Sequence, residues 1–252
     1  MRLTRVYVDT PLESGTRITL EGNAASHVTR VLRLRVGEAL TLFNGEGGEH
    51  AAQIDRAHGG TVTVAVGERE PIERESPLAL TLAQGVSRGE RMDFVVQKAT
   101  ELGVSSLVPL LSERSVVRLD AQQADRKLNH WRAVAIAACE QCGRNRLPQV
   151  RAPVALREFL RSGAPAAPAA AAAPAGTRLL LSPAAERRIA DLADAARAVT
   201  VLIGPEGGLT QEEEQAAVSA GFTPVRLGPR VLRTETAAIA ALTLLQRQFG
   251  DL

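Results

Sequence analysis

Residues 78–111, LALTLAQGVSRGERMDFVVQKATELGVSSLVPLL, decide the fold class. The first seven are almost uniformly apolar, as suits a strand buried on both faces. Ser87 and Glu90, three apart, predict a capping box at the start of a helix. Behind them Met92, Val95, Val96, Ala99 and Leu102 recur at helical spacing until Gly103 stops the run. SSLVPLL then reads as a second strand. Strand, helix and strand in succession form the unit from which parallel sheets are assembled.

The same alternation continues towards the C-terminus. RKLNHWRAVAIAACEQC (126–142) predicts a helix, and RLLLSP, VTVLIG and PVRLG predict three more strands, each followed by helical sequence. About five apolar strands in this order imply an α/β domain whose mostly parallel sheet is covered on both faces. Towards the N-terminus the pattern differs. RVYVD, RITL, EALTLFNG, EHAAQID and TVTVAVG read as short strands, with HGG as a hairpin turn and AASHVTRVLRL as one helical interruption. That is the pattern of a small β-barrel. The charged, proline-bounded EREPIERESP (68–77) reads as a connection, so the expected organisation is a β-domain over 1–72, a linker over 73–77 and the α/β domain over 78–252. Within the latter, SGAPAAPAAAAAPAG (162–176) has three prolines and no large apolar side chain, which predicts a flexible surface insertion.

Composition narrows the class of function. Hydrophobic residues at 45% and charged residues at 23% are ordinary for a soluble globular protein. No run approaches the ~20 apolar residues that cross a bilayer, and MRLTRVYVDT lacks the apolar core of a signal peptide, so a cytoplasmic location is expected. A net charge of +2 does not announce a general polyanion binder, yet 28 of the 30 basic residues are arginine, which can fork onto phosphate. Cys139 and Cys142 form a lone CxxC late in an apolar helical run, and His27, His50, His58 and His130 are scattered. Neither pattern supplies a metal site, and no metal is expected.

Three segments look equipped for chemistry: LLSP (180–183), IGPEGGLT (203–210) and LGPRVLRTETA (227–237). Each places Gly or Pro directly after an apolar strand, where open α/β sheets bind ligands and where bare backbone groups can approach one closely. Thr210 and Glu213 repeat the capping-box spacing, and the acidic turn that follows argues against phosphate. A phosphate-binding GKS or GKT is absent, and so is a GxGxxG dinucleotide fingerprint. Spacing alone leaves both a ligand cradle and an empty glycine turn open. The helix TETAAIAALTLLQRQF is apolar on nearly every side, which predicts burial between the sheet and another subunit.

GVSRGERMDFVVQKATELGV, ERS (113–115), EQCGRNRLP (140–148), IGPEGG and LGPRVLRTETA, in this order behind a small β-domain, resemble the RsmE family of ribosomal RNA methyltransferases of the SPOUT superfamily. The resemblance spans nearly the whole chain apart from the alanine-proline insertion. It implies a SPOUT-type mostly parallel sheet with a C-terminal trefoil knot, a small N-terminal PUA-like β-barrel that helps to bind RNA, and a homodimer. The implied activity uses S-adenosylmethionine (SAM) to methylate N3 of a specific uridine, uridine 1498, in 16S rRNA of the small ribosomal subunit, with rRNA in the assembled subunit as the expected partner. By the same resemblance SAM is held largely by backbone groups of Leu181, Gly204, Gly207, Gly208, Leu227 and Leu232, with Ser182, Pro183, Ile203, Pro205, Glu206, Gly228, Thr234, Thr236 and Ala237 completing the site.

Methyl transfer to the imide nitrogen of uracil needs that nitrogen deprotonated, so a base, a cation that stabilises the anion, or both are expected. Arg114, Arg144 and Arg233 are the candidate cations, and Glu140 and Glu235 the candidate bases. Purely structural alternatives stand beside them: Glu235 as a helix cap and Arg114 as a pairing residue across a dimer. Arg2, Arg5, Arg30, Arg33 and Arg35, extended by Arg146 and Arg151, are the candidate RNA contacts. Through residue 72 there are eight basic and nine acidic residues, so any contact there must come from the local HVTRVLRLR cluster. A solvated helix face is the alternative for each of these arginines. Aromatics at 3% favour recognition of a folded RNA shape over stacking on many bases.

Overall fold

A computed structural model describes residues 4–162, 176–192 and 197–252. Arg2 and most of the 162–176 insertion lie outside the described residues. The chain divides into two compact units, one of residues 1–75 with Ile136–Leu147, the other of Ser76–Ala135 with Pro148–Leu252.

The first unit is a five-stranded sheet in the order β1 (Arg5–Tyr7), β3 (Ala39–Phe43), β4 (Glu49–His58), β5 (Thr61–Glu70) and β2 (Arg17–Leu20). Only the β1–β3 pair is parallel. Alternation along β4 and β5 sends Ala52, Ile54, Val62, Val64 and Val66 to one side, where they form a core with Val6, Leu20, Leu40 and Leu42. Helix α1 (Gly22–Ser26) runs on into one π-helical turn, His27–Val31, and adds Ala25 and Val28 to that core.

The boundary between the units departs from the expected linker. Glu73 accepts the Gly48 N–H at 2.8 Å, and Arg74 donates to Glu49 at 3.0 Å and to the Gly143 carbonyl at 2.8 Å. These contacts pin 73–75 within the first unit. The GRNRL segment joins the unit for a similar reason: Asn145 donates to Glu49 at 3.0 Å and to the Ile72 carbonyl at 2.6 Å.

The second unit holds seven parallel strands: β12 (Thr223–Val225), β10 (Thr177–Leu181), β11 (Ala198–Ile203), β6 (Ala79–Gly85), β7 (Ser106–Leu111) and β8 (Gln149–Val150) in order, with β9 (Val154–Ala155) also on β7. The period of two explains why these strands read as unbroken apolar runs. Leu80, Leu82, Leu179, Val199, Val201 and Ile203 face a core shared with α2 (Glu90–Glu101), α3 (Ala121–Cys142) and α6 (Thr234–Phe249). Ala83, Val108, Leu110, Leu180 and Leu202 face a second core with α4 (Leu156–Ser162) and α5 (Gln211–Ser219).

Two helix starts differ from the sequence expectation. Gly89, with φ +59, is the N-cap of α2 and makes no side-chain cap, while Ser87 is buried without a hydrogen-bond partner among the described residues. The positive φ at Gly89 moves the N-cap two residues past Ser87, out of its reach. Helix α3 starts at Ala121, five residues early, because Asp120 and Gln123 cap it reciprocally at 2.7 and 3.1 Å. Helix α6 buries Ala237, Ala238, Ala241, Leu242 and Leu245, leaves Leu244 exposed, and is anchored by buried Gln246, which accepts from Ser76 at 2.7 Å and donates to the Leu102 carbonyl at 2.7 Å.

Candidate functional site

Strands β12, β10 and β11 lie side by side, and the loops leaving their carboxyl ends converge on one cleft of about 530 Å³. The loop after β11 turns tightly: the Gly208 N–H donates to the Pro205 carbonyl at 2.9 Å, and Gly208 takes φ +69, a conformation that favours glycine. Thr210 then caps α5. Its Oγ1 accepts the Glu213 N–H at 3.2 Å, and Glu213 Oε2 accepts the Thr210 N–H at 3.0 Å, as the spacing predicts. The other oxygen of buried Glu213 accepts the Glu113 N–H at 2.8 Å, which ties the ERS segment to the start of α5.

Thr234 joins three segments. Its hydroxyl donates to the Gly204 carbonyl at 2.7 Å and accepts from Gln84 Nε2 at 2.9 Å, linking the first residue of α6 to the loop after β11 and to the end of β6. Thr234 and Gln84 are both buried, so this bridge has no competition from water. Gly85 passes so close to the same loop that a Cβ there would stand 2.6 Å from Pro205 Cδ.

Of the residues expected to hold a cofactor, Leu181, Ser182, Pro183, Ile203, Gly204, Pro205, Glu206, Gly207, Gly208, Leu227, Gly228, Leu232, Thr234 and Ala237 line the cleft. Thr236 does not, because one residue past Glu235 the helix turns its side chain to the exposed face. Arg91, Leu209, Glu214, Arg226, Arg230 and Val231 also line it and were not anticipated. Arg91 arrives from α2 through an ion pair of 3.1 Å with Glu206, whose carboxylate also accepts the Arg88 N–H at 3.0 Å. Burial alone would raise the Glu206 carboxyl, but hydrogen bonds from its own N–H, Arg88 and Arg91 hold it below the usual range.

The candidate catalytic residues divide between the units. Arg233 and Glu235 line the cleft, Arg233 exposed at the N-cap of α6 and Glu235 in its first turn. Glu235 Oε2 is buried with no hydrogen-bond partner among the described residues, and the glutamate caps nothing by side chain. Arg114 directs Nη1 at the Gly207 and Leu209 carbonyls, both at 3.3 Å, and so braces the glycine loop.

Glu140 and Arg144 belong to the first unit. Burial raises the Glu140 carboxyl, which accepts the Tyr7 N–H at 3.0 Å and pairs with His27 at 3.1 Å. Arg144, 4% exposed, is not the free cation expected of it: Glu75 binds it through both oxygens, at 3.1 and 2.6 Å. Burial alone would lower the Arg144 guanidinium, but Glu75 holds it above the usual range.

The RNA candidates also separate. Arg30, Arg33 and Arg35 are exposed, Arg33 with the left-handed φ of +57. Arg5 is corrected from surface contact to core: it is 2% exposed, paired with Glu49, and lies 4.6 Å over the Phe43 ring. Arg146 pairs with Glu73 at 3.4 Å, and Arg151 donates to Gln149 at 2.9 Å. The two cysteines are free thiols, and burial pushes the Cys139 thiol up to about 12. Among the described residues no cluster of His, Cys, Asp and Glu could hold a metal, and no helix is long and apolar enough to cross a membrane.

Comparison with known proteins also finds two domains in the chain. The family described as an RNA methyltransferase domain matches residues 74–246, and an RNA methyltransferase PUA domain matches residues 20–66. A protein of Buchnera aphidicola named ribosomal RNA small subunit methyltransferase E is 33% identical over 100% of this chain and 98% of its own length. Its namesake in Mycobacterium bovis is 33% identical, covering 94% of this chain and 88% of its own. Among solved structures, a methyltransferase of Legionella pneumophila with bound SAM superposes with a TM-score of 0.93 at 42% identity, covering all of both chains. A ribosomal RNA small subunit methyltransferase E of Neisseria gonorrhoeae bound to SAM gives 0.88 at 37% identity, covering 99% of each.

Proposed function

The chain belongs to the RNA methyltransferase family that includes ribosomal RNA small subunit methyltransferase E, and from that premise we propose that it transfers a methyl group from SAM to N3 of one specific uridine in 16S rRNA. The observation that carries this reading is the convergence of three strand-exit loops on one cleft. At Gly208 and Gly228 nothing lies within 4 Å of where a Cβ would stand, so a ligand can approach the main chain closely there. The cleft's lining contains no lysine, and it sets the carboxylates of Glu206, Glu214 and Glu235 among four arginines, so it offers partners to both the amino and the carboxylate group of SAM. SAM fits these walls.

When bound, SAM supplies a methyl group on a positively charged sulfur. The chain must supply the nucleophile's activation. The uracil imide holds its proton at neutral pH with a pKa a little over two units above 7, so removing it costs about 3 kcal/mol. Glu235 is the base best supported by position, since it lines the cleft and its buried Oε2 has no hydrogen-bond partner among the described residues. Arg233, two residues earlier and also in the lining, would stabilise the charge that develops on the uracil oxygens. Arg114 and Glu206 hold the glycine loop in shape, and Glu140 and Arg144 serve the polar interior of the first unit.

Under the same reading the exposed Arg30, Arg33 and Arg35 hold rRNA through its phosphates, and the C-terminal segment around the cleft is threaded as a trefoil knot. The chain works in the cytoplasm as a homodimer on the small subunit, with the exposed Leu244 of α6 as part of the subunit contact. Calorimetry with SAM and with ATP, followed by single-turnover methylation with Glu235→Gln, tests the proposal. Binding of SAM alone and a loss of at least ~100-fold in the methylation rate are expected. Binding of ATP alone overturns the cofactor, and wild-type rates in the variant overturn the base.

A further inference from the structure

Away from the cleft, the second unit carries a shallow groove of about 510 Å³ lined by Arg118, Leu119, Gln123, Arg126, Lys127 and His130. Gln123, Arg126, Lys127 and His130 fall at positions i, i+3, i+4 and i+7 of α3, so they share one helical face, and Arg118 comes from the segment that leads into it. Seven arginines of the described chain, at 5, 17, 74, 91, 144, 146 and 188, are matched with carboxylates. What marks the groove is that its unmatched cations share one concavity. Among the described residues no carboxylate lies within ion-pair distance of Arg118, Arg126 or Lys127. Arg126 donates only to Gln122 of its own helix, at 3.1 and 3.4 Å. The nearby acids are either committed or outside the lining: Asp93 pairs with His130 at 2.7 Å, Asp120 caps α3, and Asp125 is not part of the groove.

Three cations crowded into one concavity without counter-charges repel one another and favour an anion that can satisfy several at once. The groove has no Phe, Tyr or Trp on which a base could stack, its imidazole, His130, is paired with Asp93, and its arginines have the fork that matches phosphate oxygens. We infer that this groove is a second RNA contact, which grips consecutive phosphates of the rRNA backbone and positions the substrate without reading its sequence. The inference rests on the rRNA methyltransferase reading above and adds a binding surface to it.

The test compares Arg118→Gln/Arg126→Gln/Lys127→Gln with a control, Arg157→Gln/Arg161→Gln, which removes two exposed arginines of α4. Affinity for small ribosomal subunits from cells lacking the methyl group is measured across roughly 50–200 mM salt. Each lost phosphate contact lowers the slope of log K against log salt by about 0.7–0.9, so the triple variant should lose about two to three from that slope and bind at least ~10-fold more weakly. Lys127→Gln alone should lose about one, which covers a triple variant that fails to fold. Calorimetry with SAM, bound by other residues, reports that each variant is folded. A slope equal to that of the wild type, or a loss matched by the control, overturns the groove while methylation by the wild type stands, and would leave an acidic protein as the occupant. Failure of the wild type to methylate the subunits overturns the rRNA reading and the groove with it.

Discussion

Gly85→Ala is a one-methyl perturbation aimed at the loop that shapes the cleft. The added carbon would stand 2.6 Å from Pro205 Cδ and 2.7 Å from the Gly204 carbonyl carbon, and closer still to the Pro205 nitrogen. Carbon atoms pack best at about 3.5–4.0 Å, so the loop must retreat by about 1 Å. The obstacle is backbone, not the free end of a side chain, and Gly204 is also held by Thr234. Overpacking of this kind costs about 1–3 kcal/mol, and a displacement of about 1 Å at a positioned site can cost ~100-fold in rate. Calorimetry with SAM and single-turnover methylation are the assays, beside thermal unfolding. The expected outcome is a SAM affinity at least ~10-fold weaker, with a melting temperature lower by roughly 2–10 °C. Gly228→Ala is the companion, since nothing lies within 4 Å of its Cβ position, and its unfolding should shift by no more than about 0.5 kcal/mol. Wild-type SAM affinity in Gly85→Ala would refute the claim that the Gly204–Pro205 backbone forms the cofactor wall.

Thr234→Val keeps the shape of the side chain but removes its donor and acceptor, stranding the Gly204 carbonyl and leaving Gln84 Nε2 with only the Gly85 carbonyl; it should cost about 1–3 kcal/mol in chemical denaturation and weaken SAM, whereas Thr234→Ser should restore most of both. Arg144→Ala breaks a mostly buried pair with Glu75 and should destabilise the protein by about 3 kcal/mol, seen as a lower denaturant midpoint, with SAM affinity unchanged. Glu140→Gln retains an acceptor for the Tyr7 N–H and removes a charge that burial disfavours, so methylation at saturating substrate should remain within about threefold of wild type; a loss of ~100-fold would make Glu140 the base instead. For Glu49, burial alone would raise the carboxyl, but hydrogen bonds from Arg74, Arg5 and Asn145 hold it below its ordinary 4.5. A carboxylate lowered in the folded state contributes stability that is complete above 4.5 and is lost as pH falls through the lower folded value, so acid unfolding followed by circular dichroism should be shallower in Glu49→Gln.

The local chemistry that was legible in the sequence has both partners within a turn of each other. The Thr210–Glu213 cap and the two-faced strands could be read directly because each depends on spacing of three or two. Ser87 and Glu90 had the same spacing and failed, since Gly89 bends the chain between them. The Asp120–Gln123 signal was present and passed over, which displaced the start of α3. Glycine and proline after the strands located the cleft, but Arg91 reaches it through Glu206, 115 positions away, a partner no periodicity encodes. Arg5 looked like any other exposed arginine because its burial depends on Glu49 and Asn145, which come from distant parts of the chain. The same long-range polar cluster draws 136–147 into the first unit and removes the freedom expected of residues 73–75.

The most direct measurement is nucleoside mapping of 16S rRNA from a strain lacking this gene, before and after its small subunits are treated with the purified chain and SAM. Nuclease digestion and mass spectrometry should show one uridine without its N3 methyl group, regained on treatment with wild-type protein and not with Glu235→Gln. A complete methylation pattern in the deleted strain, or a methyl group regained at any other nucleoside, would contradict the proposed reaction.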